Sequence, residues 1–271
     1  MFVRQERYWM KQQKNKIQIA FFDIDGTLID FDKESISAKT KEALTGLRRN
    51  GIRIVLATGR APVTLPQFDG VEFDAFLTFN GSYCYNEKAT IYSKPIPKSD
   101  VEQIIRNATK MGRPVSVATK KRVAANGRDK DLQDYYTVVK LPLEIAGDFE
   151  QVIKDDVYQI MAGSRKEEYP ALIKEAPNAQ ITAWWERAVD IIPKDSGKGN
   201  GVDRILDYYH LTREQALAFG DGGNDIEMLQ TVGTGVAMGN ASEEVKLSAN
   251  EVCKSVSEDG VYHYCLEHGL I

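Results

Sequence analysis

Four short polar clusters in this 271-residue chain carry the side chains best suited to chemistry. They are DIDGT at 23–27, TGR at 58–60, Lys198 within SGKGNG at 196–201, and GDGGND at 220–225. In the first, Asp23 and Asp25 stand two residues apart at the end of an apolar run, so both carboxylates can lie near one site. Gly26 lets the chain turn away without a Cβ penalty, and Thr27 can hydrogen-bond within that turn. Taken alone, DIDGT could be no more than an acidic turn closing a strand. The other clusters add a hydroxyl at Thr58, a compact positive charge at Lys198, and Asp221, Asn224 and Asp225 on a loop. Gly222 and Gly223 give that loop room to approach a ligand closely. Two nucleotide-binding patterns are excluded. GDGGND carries Asp225 where G-x-G-x-x-G needs its last glycine, and Lys198 lacks the distant glycine and following Ser or Thr of a P-loop.

The elements around these clusters explain their placement. IQIAFFDID, from Ile17, reads as a strand buried on both faces. Ser37 offers a helix N-cap, Ala38 to Arg49 has helical spacing, and Asn50-Gly51 stops it. Residues 52–58 and 74–79 form two further strands, the first ending in Thr-Gly-Arg and the second in Asn80-Gly81. The strand–helix–strand order implies a right-handed crossover and parallel pairing. Residues 83–93 then alternate as an antiparallel pair about Asn86-Glu87-Lys88. A helix is expected over 99–111, short strands near 114–118, 121–125, 157–162, 179–185 and 188–192, and a helix over 166–175. This is an α+β pattern, unlike the one before it. Alternation resumes with a helix over 199–209, a strand over 216–219, a helix around 226–229, a last core strand over 235–238, and helices over 243–249 and 260–267. The expected organisation is an N-terminal extension over 1–16, a doubly wound, Rossmann-like α/β parallel-sheet core over 17–82 and 195–271, and an inserted α+β cap over 83–194. In open parallel sheets ligands bind at the carboxyl ends of strands, where the four clusters fall.

In that order and placement, DIDGT, Thr58 of LATGR, Lys198 and GDGGND resemble the four motifs of the haloacid dehalogenase (HAD) superfamily. The closer resemblance is to its Cof-type phosphatases, with a large C2B-type cap between the second and third motifs. The resemblance covers nearly all of 17–271 and implies a Mg²⁺-dependent phosphatase working through an aspartyl-phosphate. It makes Asp23 nucleophile and metal ligand, gives the Asp25 backbone carbonyl to the metal, and makes Asp221 the other carboxylate ligand. The Asp25 side chain would protonate the leaving alkoxide and then activate water. Ile24 and Gly59 backbone amides, Thr58, Lys198 and Asn224 would hold the phosphate, and Asp225 would steady the ligands or Lys198. Mg²⁺ suits the task, since an anionic phosphate monoester repels an attacking carboxylate.

Composition narrows the remaining classes. A net charge of −4 gives no electrostatic footprint for nucleic acid. Arg4, Glu6, Arg7 and Lys11 interrupt any apolar leader, and no stretch approaches the roughly 18 apolar residues of a membrane span. Cys84, Cys253 and Cys265 form no CxxC pair and read as reduced thiols, so a cytoplasmic location is expected. His210, His263 and His268 have no metal-site spacing. Trp184 and Trp185 point to opposite faces of a strand, so at least one should be core. The expected substrate is a small phosphorylated metabolite, sugar phosphates first, with nucleotides, flavin mononucleotide and pyridoxal phosphate as alternatives. A phosphotransferase, a sugar phosphomutase and a non-catalytic binding protein are the rival readings. Neither the substrate nor the oligomeric state is written in the sequence.

Overall fold

The computed structural model describes residues 17–271, and the expected extension over 1–16 lies outside the described residues. The chain runs β1 (Ile19–Phe22), α1 (Ala38–Arg49), β2 (Arg53–Ala57), β3 (Ala75–Thr78), β4 (Tyr83–Tyr85) and β5 (Thr90–Ser93). It continues through α2 (Lys98–Lys110), β6 (Val115–Thr119), β7 (Val123–Ala125), α3 (Lys130–Val138), α4 (Phe149–Val152), β8 (Val157–Gly163) and α5 (Tyr169–Leu172). Then come β9 (Ala179–Trp185), β10 (Ala188–Pro193), α6 (Lys198–Tyr209), β11 (Ala216–Gly220), α7 (Ile226–Thr231), β12 (Thr234–Ala237), α8 (Glu243–Ser248), β13 (Glu251–Val252) and α9 (Gly260–Glu267).

Eight strands form one sheet in the order β13-β12-β11-β1-β2-β3-β4-β5, and five form another, β7-β6-β8-β10-β9. In the large sheet β1 lies parallel between β11 and β2. Its unbroken apolar run follows from burial on both faces. Ala20 and Phe22 pack with Leu44 and Leu47 of α1 and Tyr264 of α9, while Ile19 and Phe21 pack with Val202 and Ile205 of α6 and Met228 of α7. Burying one such large side chain contributes about 1.5–3 kcal/mol, so the site at the end of β1 hangs from a rigid strand. The helix α1 starts where Ser37 Oγ accepts the Thr40 amide at 2.9 Å.

The sheet is mixed rather than purely parallel, because β4 and β5 join it antiparallel beside β3. The hairpin over 83–93, expected at the start of the insertion, therefore pairs with the core sheet. Its alternation revealed a hairpin but not which sheet would take it. The smaller sheet is antiparallel throughout. One face packs Val117, Ile160 and Val189 against Ile104 and Ala108 of α2, and the other packs Met161 with Leu132, Tyr135 and Tyr136 of α3.

Further elements depart from expectation. The helix expected over 166–175 is a 3-10 turn over Lys166–Glu168 followed by the single turn α5, whose second residue is Pro170. Proline is tolerated only in a first turn, so a helix cannot run through it. The helices α3 and α4 are additional to the expected elements, and Asp129 caps α3 by accepting the Leu132 amide at 2.7 Å. The two exposed residues of β13 extend the sheet past the strand expected to be last. No helix among the described residues is long and apolar enough to cross a membrane.

Candidate active site

The ends of β1, β2 and β11 and the first residue of α6 bring the four clusters together. After β1 the chain turns sharply. The amides of Thr27, Leu28 and Ile29 all donate to the Ile24 carbonyl, and that of Gly26 donates to Ile29, so none of the four takes the Asp25 carbonyl. Ile24 buries its side chain in the core and so anchors the loop. Gly26 has φ +87°, and a Cβ there would lie 2.1 Å from Asp221 Oδ2, so two constraints require glycine. Thr27 reaches beyond its own turn, its hydroxyl donating to Asp221 Oδ1 at 3.0 Å.

Lys198, fully buried, donates from Nζ to Asp23 Oδ1 at 2.6 Å and to Asp225 Oδ1 at 2.5 Å. Asp225 accepts the Asp221 and Gly222 amides on its other oxygen, at 3.0 and 2.9 Å. Both of its oxygens are therefore engaged in holding Lys198 and the acidic loop. Oxygens of Asp23, Asp221 and Asp225 lie within 4.8 Å of one another. Three carboxylates thus face one ammonium. Burial pushes Asp23 up to about 7 despite Lys198, with Asp225 and Asp25 adding to the shift. Burial, then Asp23 and Asp225, push Asp221 well above the usual carboxylate range. Burial pulls Lys198 down, but its two carboxylates outweigh this and leave it above an ordinary lysine. The cluster is short of positive charge, and its hard oxygen donors fit a divalent cation between Asp23 and Asp221.

Thr58 is buried, and its hydroxyl oxygen accepts the Arg60 amide at 3.1 Å. Arg60, the last residue of the TGR cluster, grips Asp25 with its guanidinium and also donates to the Val139 carbonyl, beyond the end of α3, at 3.2 Å. Asn80 joins the cluster too. It sits buried at φ +50°, a conformation asparagine accepts more readily than most residues. Its Oδ1 accepts Asn224 Nδ2 at 2.9 Å, while its Nδ2 donates to Asp190 Oδ2 at 2.9 Å and Gln159 Oε1 at 3.2 Å. Asn80 therefore ties the core to the smaller sheet. A Cβ on Gly59 would approach Asn80 Nδ2 to 3.0 Å. The sequence signal for Asp190 is a lone acid inside the apolar strand AVDIIP.

A cavity of 420 Å³ opens above these residues, roofed by the smaller sheet and α3. Asp23, Asp25, Thr58, Gly59, Asp221 and Asn224 line it, whereas Ile24, Lys198 and Asp225 stand behind. Trp184 and Trp185 both line it and are only partly buried, so neither is the core residue expected of the pair; Trp184 stands edge-on to Tyr135 with ring centroids 5.2 Å apart.

Known proteins share this arrangement of chain. The putative phosphatase YkrA of Bacillus subtilis is 30% identical over 262 residues, covering 94% of this chain and 98% of its own. The 5-amino-6-(5-phospho-D-ribitylamino)uracil phosphatase YitU of the same organism is 27% identical, covering 94% and 98%. The solved structure of the HAD subclass IIB sugar phosphatase BT4131 superposes with a TM-score of 0.83 at 29% identity, covering 94% of this chain and 100% of that one. The haloacid dehalogenase-like hydrolase pattern matches residues 20–265, a span that holds all four polar clusters. The chain therefore belongs to the haloacid dehalogenase-like hydrolases, phosphoryl-transfer enzymes of the Cof-like branch.

Proposed function

We propose that the chain hydrolyses phosphate monoesters of small metabolites by Mg²⁺-dependent transfer of the phosphoryl group to Asp23. The observation that carries this reading is the clamp on Asp23, whose Oδ1 is fixed by Lys198 beside the carboxylate of Asp221. Its Oδ2 has no protein hydrogen bond among the described residues and is left to attack phosphorus. Mg²⁺, held by Asp23, Asp221 and the Asp25 carbonyl, would neutralise the phosphate oxygens that otherwise repel a carboxylate. The Thr58 hydroxyl, the Ile24 and Gly59 amides, the Asn224 amide and the remaining Lys198 hydrogen would hold the transferring group. Asp25, aimed by Arg60, gives the leaving alkoxide its proton. It then takes one from the water that attacks the phosphorus of the aspartyl phosphate, breaking the P–O bond to Asp23 and releasing phosphate. Asp225 acts through Lys198.

The smaller sheet serves in this reading as a C2B-type cap, supported by the likeness to a subclass IIB phosphatase. We read the core as 17–93 and 195–271 and the cap as 94–194, moving the 83–93 hairpin out of the expected insertion because of its pairing. Free thiols at Cys84, Cys253 and Cys265 support a cytoplasmic location. Sugar phosphates are supported by the likeness to BT4131, but YitU carries a uracil in its name, so the relatives do not choose the leaving group.

The test is turnover of para-nitrophenyl phosphate with Mg²⁺ and with EDTA. Hydrolysis that EDTA abolishes and Asp23→Asn removes, in a protein that still folds, is the expected result. Full activity of that variant would remove the covalent mechanism.

A further inference from the structure

The roof of the cavity has a chemistry of its own. Gln159 and Met161 on β8 and Asp190 on β10 present one face of the smaller sheet to it, with Tyr135 and Trp184 alongside. Asp190 is almost fully buried, accepting the Tyr135 hydroxyl at 2.7 Å on one oxygen and Asn80 at 2.9 Å on the other. A carboxylate offers about four lone-pair sites, so two remain for a ligand. No lysine or arginine among the described residues pairs with Asp190. Arg60, the one cation among the described residues that line the cavity, is engaged by Asp25. Burial raises Asp190 to about 6, against the opposing Tyr135 and Asn80 hydrogen bonds.

Gln159 stands beside it, since both accept from the same Asn80 nitrogen. No protein atom among the described residues accepts from Gln159 Nε2. An acceptor and a donor thus lie next to each other in the roof of the cavity, beside an aromatic wall. A sugar would need partners for several hydroxyl groups, which Met161, Trp184 and Tyr135 supply poorly. A flat ring with an N–H next to a carbonyl satisfies both polar groups and covers the aromatic wall.

We propose that the leaving group of the substrate is a planar nitrogen heterocycle whose ring N–H donates to Asp190 and whose adjacent carbonyl accepts from Gln159. The proposal rests on the phosphatase reading of the same chamber. Through Asn80, this recognition edge lies two hydrogen bonds from Asn224, so phosphate and ring are gripped by one connected network.

The experiment compares kcat/KM for flavin mononucleotide and uridine monophosphate, which both carry such an edge, with their N3-methyl forms and with glucose 6-phosphate. Para-nitrophenyl phosphate reports phosphatase activity itself. The expected result is a preference of about tenfold or more for at least one unmethylated heterocycle, lost on N3-methylation and reduced by Asp190→Asn and Gln159→Ala. Equal turnover of methylated and unmethylated esters, or glucose 6-phosphate as the better substrate, overturns the proposal while leaving the phosphatase reading intact. If para-nitrophenyl phosphate itself is not turned over, the phosphatase reading falls. Calorimetric binding to Asp23→Asn then decides the recognition alone: tighter binding of the unmethylated ligand supports it, and equal binding overturns it.

Discussion

Arg60 holds Asp25 in a two-point fork, Nε to Oδ2 at 2.8 Å and Nη2 to Oδ1 at 2.6 Å. The same guanidinium donates to the Val139 carbonyl at 3.2 Å, so one side chain joins the proposed proton donor to the roof of the cavity. The planar fork fixes direction as well as charge, which a lysine does not. Arg60→Lys is therefore expected to lower kcat by about 10–100-fold through misplacement of Asp25. KM should change little, because the fork contacts Asp25 and not the phosphate. Steady-state kinetics decide it, and a rise in KM at unchanged kcat would show that Arg60 binds substrate instead.

The excess of carboxylate around Asp23 and Asp221 makes a second prediction. A divalent cation that binds only the folded protein stabilises it by about 2.7 kcal/mol at a hundred times its dissociation constant. Mg²⁺ should raise the melting temperature of the wild-type protein, and Asp221→Asn should abolish most of that rise. An undiminished Mg²⁺ effect in the variant would place the ion elsewhere.

The division between what the sequence discloses and what it hides follows physical lines. Asp23, Thr58 and Asp221 each stand directly after a buried apolar strand, so local pattern alone sets them on one edge of the sheet. Lys198 was legible by residue type, but not its position behind Asp23, because that depends on two carboxylates 175 and 27 residues away. Nothing local assigns Arg60 a role, because the carboxylate it grips lies 35 residues back. Asn80 reads as the turn closing a strand; its bond to Asn224 spans 144 residues, and those to Gln159 and Asp190 exist only once the smaller sheet folds over the core. The helix α3 was missed although Leu132, Tyr135 and Tyr136 have the spacing of one buried face.

The buried trio of Lys198, Asp23 and Asp225 separates stability from activity. Removing one partner of a buried ion pair leaves a charge uncompensated and costs about 3–5 kcal/mol. Lys198→Met should therefore lower the denaturation midpoint and abolish turnover. Adding Asp225→Asn removes one of the two stranded carboxylates, so the double variant should regain part of the stability and none of the activity. Urea denaturation of the single and double variants measures the coupling. Additive losses would mean that Asp225 does not act through Lys198.

Asp190 has a signature in the pH dependence of stability. Burial raises it from 3.8 to about 6, with the Tyr135 and Asn80 hydrogen bonds opposing the shift. A carboxyl group raised on folding binds its proton more tightly in the native state than in the unfolded chain. Its contribution is therefore fully present below about pH 4 and lost as pH rises through about 6. Asp190→Asn removes this titration, while any hydrogen bond it loses to Asn80 adds a penalty largely independent of pH. The stability of the variant relative to wild type should then rise by about 2 kcal/mol between pH 4.5 and 7.5. Urea midpoints across that range, taken without Mg²⁺, read the difference directly. A difference that stays flat would mean Asp190 is already ionised in the folded protein at pH 4.5, with enough donors around it that it needs none from a ligand.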